Sequence, residues 1–136
     1  MTRNDRVASF STTRLQFNSI TTTSYDWHLL EGNGTSASAT GSATQNNINI
    51  GDLPSSSALT DTMGVSVIDI HDYASTTRNK TVRAFSGFDL NGSGVVGLYS
   101  GELRNTSAIT SVTIYHATSD SWTTTSQFAL YGIKGA

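Results

Sequence analysis

Ile109-Thr110-Ser111-Val112-Thr113-Ile114-Tyr115 and Phe128-Ala129-Leu130-Tyr131-Gly132-Ile133 decide the fold class of this chain. The first stretch alternates apolar and polar residues and is rich in β-branched side chains, the pattern of a strand with one face in a core. The second is nearly continuous in apolar character and reads as a strand covered on both faces. A polar stretch around Trp122 joins them, which predicts a long terminal hairpin. In the second strand Phe128 and Leu130 face one way, and Ala129, Tyr131 and Ile133 the other. One set fills a core. The other needs separate cover, because a contiguous exposed apolar patch is uncommon on a soluble monomer. A neighbouring subunit is the simplest cover, which makes Tyr131 and Ile133 candidate oligomer-interface residues; a loop of the same subunit over residues 52 to 61 is the competing cover.

The same short-strand pattern recurs upstream. Leu15 to Ile20 and Tyr25 to Leu30 alternate, and Ile48 and Ile50 mark a short strand. Met63 to Ile70 is the longest alternating run, with Met63, Val65 and Val67 opposing Gly64, Ser66, Ile68 and Ile70, and Val65 and Val67 assigned to the core face. Thr81 to Phe85 opens another strand. Phe88-Asp89-Leu90 and Val95 to Tyr99 flank Asn91-Gly92, the dipeptide preferred in type I′ hairpin turns. Glu31 to Thr44, made of Gly, Ser, Thr, Ala and one Asn, reads as a long exposed loop. Asp52 to Asp61, with the only proline, reads as a second loop. No window carries a sustained 3.6-residue period, so no long helix is expected.

These elements predict an all-β chain of about eight or nine short strands, a sandwich or a barrel, over residues 14–136, preceded by a polar N-terminal arm over residues 1–13. At 136 residues the chain suffices for one sizeable core. The expected core comprises Phe17, Trp27, Val65, Val67, Val112, Ile114, Phe128 and Leu130. Truncation of a buried Leu130 to Ala would then cost about 2–5 kcal/mol.

Composition narrows function. Only 13% of residues are charged and the net charge is −2, so there is no general pull toward nucleic acid or anionic membrane. Ser and Thr number 20 and 21, and Thr suits a half-exposed pleated strand. The chain has no Cys, hence no disulfide framework and no thiolate metal site. Met1 to Arg6 is polar with no apolar stretch behind it, which does not read as a signal peptide. No apolar run reaches the length of a membrane span.

Candidate chemistry is sparse. Asp89, Asn91 and Ser93 followed by Gly94 match the first half of a calcium loop, but Ser100 stands where a bidentate Glu belongs. The hairpin turn is the preferred reading over an ion site. Asp69, His71 and Asp72 cluster near one strand end; without a second ligand spacing they read as a solvated end. Glu31 and Glu102 are the only glutamates, and nothing in the sequence brings them together. Four Asn-x-Ser/Thr sequons, at Asn33, Asn79, Asn91 and Asn105, are about the number chance supplies. No catalytic residue, metal or cofactor is assigned. Trp122 in its polar loop and Tyr99 are the candidates for stacking on a sugar ring.

Taken together, several stretches resemble small virion structural domains of tailed bacteriophages. The residues that carry the resemblance are Tyr25 with Leu29, Ile68 to Ser75 followed by Lys80-Thr81, Ala108 to Ile114, and the ending Phe128 to Gly135 with its Leu130-Tyr131-Gly132-Ile133. Glu102-Leu103 after Gly101, and the Gly/Ser/Thr stretch after Leu30, depart from the group. The resemblance implies a jelly-roll-like sandwich displayed on the particle, without enzymatic activity. It implies a capsid decoration or cement protein, assembled in the host cytoplasm and resident in the virion. Its partners would be the major capsid protein or another virion protein, and further copies of itself, as a homotrimer. The alternative is a tail or fibre-tip module that binds a host receptor or glycan through Trp122, Tyr99 and residues 31 to 44.

Overall fold

The computed structural model describes residue 2, residues 10–118 and residues 120–133. Eight strands form two antiparallel sheets, and the described residues contain no helix. The strands are β1 (Phe10–Phe17), β2 (Tyr25–Gly32), β3 (Ala37–Gln45), β4 (Ile48–Pro54), β5 (Val65–His71), β6 (Lys80–Asp89), β7 (Gly94–Leu103) and β8 (Val112–His116). The smaller sheet runs β4-β1-β8 and the larger β3-β2-β7-β6-β5. The first strand pairs with the last and the second with the seventh, a nested, jelly-roll-like closure of a β-sandwich.

Alternation creates the core. Leu15 and Phe17 on β1, Ile48 and Ile50 on β4, Val82 and Ala84 on β6, and Tyr99 and Leu103 on β7 are buried between the sheets. Trp27, Val112 and Ile114 are half-buried against this cluster. The sheets approach closely where a side chain is absent. Gly51 has a φ of +138°, and a Cβ there would lie 2.2 Å from Ser86 Oγ. Ser66 donates a hydrogen bond to Ser86 at the same place, 2.9 Å away.

That close approach corrects the expected facing of β5. Ser66, Ile68 and Ile70 turn inward, whereas Val65 and Val67 lie on the outer face, 55% and 59% exposed. Two requirements agree on this register: a small residue is needed opposite Gly51, and facing Ile68 and Ile70 inward covers more apolar area than facing Val65 and Val67 inward.

Two further expectations are corrected. The stretch Glu31 to Thr44 is not a loop. Asn33 Oδ1 accepts hydrogen bonds from the Thr35 and Ser36 amides at 3.0 and 2.9 Å, closing a turn, and β3 then pairs along β2. β3 is an exposed edge strand with no buried face, so it leaves no hydrophobic alternation to read. The strand structure also begins inside the presumed arm: β1 starts at Phe10, and Ser11 and Thr13 are buried. Most of that arm lies outside the described residues, although Thr2 makes an isolated bridge to Gly64.

The Asn91-Gly92 hairpin forms as read. Both residues have positive φ, +59° and +108°, as a type I′ turn requires. Asp89 Oδ1 accepts from the Asn91 amide at 2.7 Å. The carboxylate thus serves the turn.

Polar side chains staple the remaining turns. The buried Tyr25 hydroxyl accepts from the Phe17 amide at 3.0 Å and lies 3.1 Å from the Ile20 carbonyl, to which it donates. Burial raises its pKa. Asn18, at φ +52°, accepts through Oδ1 from the Thr110 and Ser111 amides at 2.8 and 3.1 Å. Tyr25→Phe strands the Phe17 amide in the core, and we expect a loss of about 1–3 kcal/mol in chemical denaturation. A midpoint equal to wild type would show that the hydroxyl is not needed there.

Candidate functional site

The register of the large sheet sorts its outer face into two halves. One cross-strand row reads Val67, Phe85, Leu98, Leu30 and Ala39 from β5 to β3. The next reads Val65, Gly87, Val96, Gly32 and Ala37. Together they form an apolar band across all five strands. Phe85 is 53% exposed, and Leu30, Val96 and Leu98 are exposed to a similar degree. Beside Gly32 lies a shallow groove of about 260 Å³ lined by Leu30, Phe85, Val96 and Leu98.

The other half is polar. Arg83 Nη2 donates to Asp69 at 2.7 Å, Asn79 donates to Glu102 at 3.0 Å, and Arg104 pairs with Asp26. The Arg104 guanidinium holds the Asp26 carboxyl below the usual carboxylate range. These groups satisfy one another, so Asp69 is occupied by Arg83, while His71 and Asp72 are exposed at the strand end. Among the described residues no group of three or more His, Cys, Asp or Glu is placed to hold a metal ion.

The residues assigned from sequence to a sugar site do not assemble into one. Tyr99 is buried in the core, its hydroxyl 3.5 Å from Glu31 Oε2. Burial, then the charges of Asp52 and Glu31, push its pKa well up. Trp122 is half-buried and stacks on His116 at 4.0 Å between ring centroids, with Phe128 edge-on at 4.9 Å. Residues 31 to 44 form the β2–β3 hairpin.

Beside Tyr99, burial raises the pKa of Asp52; a hydrogen bond from Thr12 opposes the shift and the Glu31 charge adds to it. A raised carboxyl pKa means that the folded state binds the proton more tightly than the unfolded chain. Stability therefore falls as pH rises from the ordinary carboxylate range through the raised folded value. Asp52→Asn removes that loss, so we expect a higher melting temperature than wild type at pH 7 and a smaller difference near pH 4. A lower melting temperature at pH 7 would show that Asp52 contributes more as an acceptor for Thr12 than it costs by burial.

The C-terminal stretch departs most from expectation. Phe128–Ile133 is not a strand. The chain after Trp122 lies over the cleft between the edge strands β5 and β8 without pairing to either among the described residues. Phe128 is exposed, and Leu130, Tyr131 and Ile133 are 84%, 83% and 87% exposed. Leu130 is thus not a core residue, and the burial that underlay a large Leu130→Ala loss is absent. Among the described residues the backbone of 127–133 makes no hydrogen bond.

Comparison of the chain with family models, curated proteins and solved structures returns no match. The apolar outer face escaped the sequence reading, although it left a signal. Val95 to Tyr99 is a continuous apolar run apart from Gly97, and in a two-layer sandwich only one face of such a strand can be inside.

Proposed function

We propose that this chain is a non-enzymatic structural subunit of a tailed-bacteriophage particle, a capsid decoration or cement protein. The observation that carries the reading is the apolar band across the outer face of the large sheet. A contiguous apolar patch with a polar rim is the usual mark of a protein–protein contact. The neighbouring ion pairs satisfy one another, so they frame the band without competing for it. The resemblance in sequence supplies the setting: a virion, with the major capsid protein or another virion protein as partner and further copies of the chain as neighbours, in a homotrimer.

Quantitative protein analysis of purified particles tests this. A decoration protein is present in a number commensurate with the capsid lattice. A few copies per particle would move the chain to the tail or a fibre tip, and absence from purified particles would remove it from the virion.

A further inference from the structure

Three features of the C-terminal stretch do not fit a finished monomer. Phe128 to Ile133 has the composition of a buried strand, yet among the described residues its backbone amides and carbonyls are unpaired, and Leu130, Tyr131 and Ile133 face solvent. Beyond the bridge of Thr2 to Gly64 just before β5, the outer edges of β5 and of Val112–Tyr115 in β8 have no strand partner among the described residues. Between those edges lie two cavities of about 170 and 400 Å³, lined by Ile68 and Ile70 of β5 and by Val112 of β8. Leu130 reaches both cavities without filling either. An exposed edge and an unpaired apolar strand are complementary groups, and water satisfies the backbone of each but not its side chains.

We propose that residues 127–133 are exchanged between copies of this chain, each segment adding as a strand to β8 of a neighbouring subunit and setting Phe128 and Leu130 into the cleft there. The occupant is fixed by the segment itself. The same side chains already line the cleft in their own subunit, so a copy from next door finds chemically matched walls, as in strand exchange generally. In its own subunit the segment runs antiparallel to β8: Phe128 lies toward Ile114 and Trp122, while Tyr131 and Gly132 lie toward Ile109 to Val112. An exchanged segment keeps that direction and gains the ladder. The hinge is the turn at Thr123–Ser126, where the Ser126 amide donates to the Thr123 carbonyl at 3.0 Å and the Thr123 hydroxyl lies 3.0 Å from that of Thr125. Opening it frees a polar connection, and about 3.3 Å per extended residue carries the segment to an adjacent subunit.

The inference deepens the homo-oligomer reading and rests on it, but the two fail separately. The chain has no cysteine, so engineered thiols report without background. Tyr73 and Tyr131 are both exposed and line the same cavity, which makes Tyr73→Cys and Tyr131→Cys mild changes. The two single variants are co-refolded and oxidised, and species are separated without reductant. Exchange predicts a disulfide-linked pair containing one chain of each variant. It also predicts that the double variant on one chain gives linked oligomers in place of closed monomers. Light scattering of the full chain should show an oligomer that Leu130→Asp reduces to monomer, with the circular dichroism spectrum unchanged. Closure of the double variant only within single chains would overturn the exchange. An oligomer that survives Leu130→Asp would overturn it too, while leaving the homo-oligomer intact. A monomer at all concentrations, on and off the particle, would overturn both.

Discussion

Lys80→Met should cost this domain about 3–5 kcal/mol, a large fraction of the stability of a small protein. Lys80 opens β6 and is fully buried, among the largest such side chains in the molecule. Its Nζ donates to the carbonyls of Ser75, Arg78 and Thr106 at 2.8, 2.6 and 3.1 Å. All three N–H donors of the side chain are thereby used, and none goes to a carboxylate. The three acceptors belong to two separate pieces of chain, the β5–β6 connection and the stretch after β7, so one residue ties together two loops with no ladder of their own. The Ile109 amide donates to the Tyr73 carbonyl at 2.7 Å, the only other backbone bond between the two pieces among the described residues. Met fills much the same volume without donors and leaves three partly buried carbonyls unmet. Equilibrium urea unfolding measures the loss. Hydrogen exchange at the Ile109 amide should accelerate along with it. A Lys80→Met variant within about 1 kcal/mol of wild type would show that water replaces the amine at those carbonyls.

The sequence holds a trace of that buried amine. Val82, Ala84 and Phe88 share a face with Lys80 and Ser86 at period two, so the strand pattern itself points Lys80 inward. Hydropathy conceals it, because a charged residue at a strand start reads as solvated. The facing of β5 was ambiguous for the opposite reason: Val65, Val67, Ile68 and Ile70 make both faces apolar. Only the partner strand settles the matter, since the Ser86 side needs a small neighbour and Ser66 supplies it. β3 was illegible because nothing on an exposed edge strand is buried, and backbone pairing to β2 alone defines it. β2, which alternates over Tyr25–Leu30, and the Asn91-Gly92 turn were legible because local chemistry decides them, whereas β1 was legible only over Leu15–Phe17, its polar first half having no apolar alternation to read. The apolar ending was legible as strand-forming material, but pairing is a property of two edges, and its second edge is not fixed by its own residues.

On the proposed reading as a decoration protein, Phe85→Asp combined with Leu98→Asp should abolish attachment to the head shell, lowering affinity by about 100-fold or more, which corresponds to about 2.7 kcal/mol. The two residues are cross-strand partners on β6 and β7, at the middle of the apolar band, with Val67 and Leu30 on either side. Central apolar side chains carry most of the energy of an interface, and a carboxylate placed there must be desolvated on docking without a cation to meet it. Both side chains point away from the core, so the fold tolerates the change at a cost of about 1 kcal/mol from strand preference. Thr113→Asp, on an exposed position of β8 in the other sheet, serves as the matched control for added charge. Purified variants are mixed with shells lacking the native subunit and co-sedimented, with circular dichroism confirming the sheet content of each. Wild-type and Thr113→Asp proteins should pellet with the shells, and the double variant should stay in the supernatant. Equal binding by all three proteins would exclude the band as the docking surface and leave it as a contact between copies, in which case light scattering of the double variant would show a lower mass than wild type.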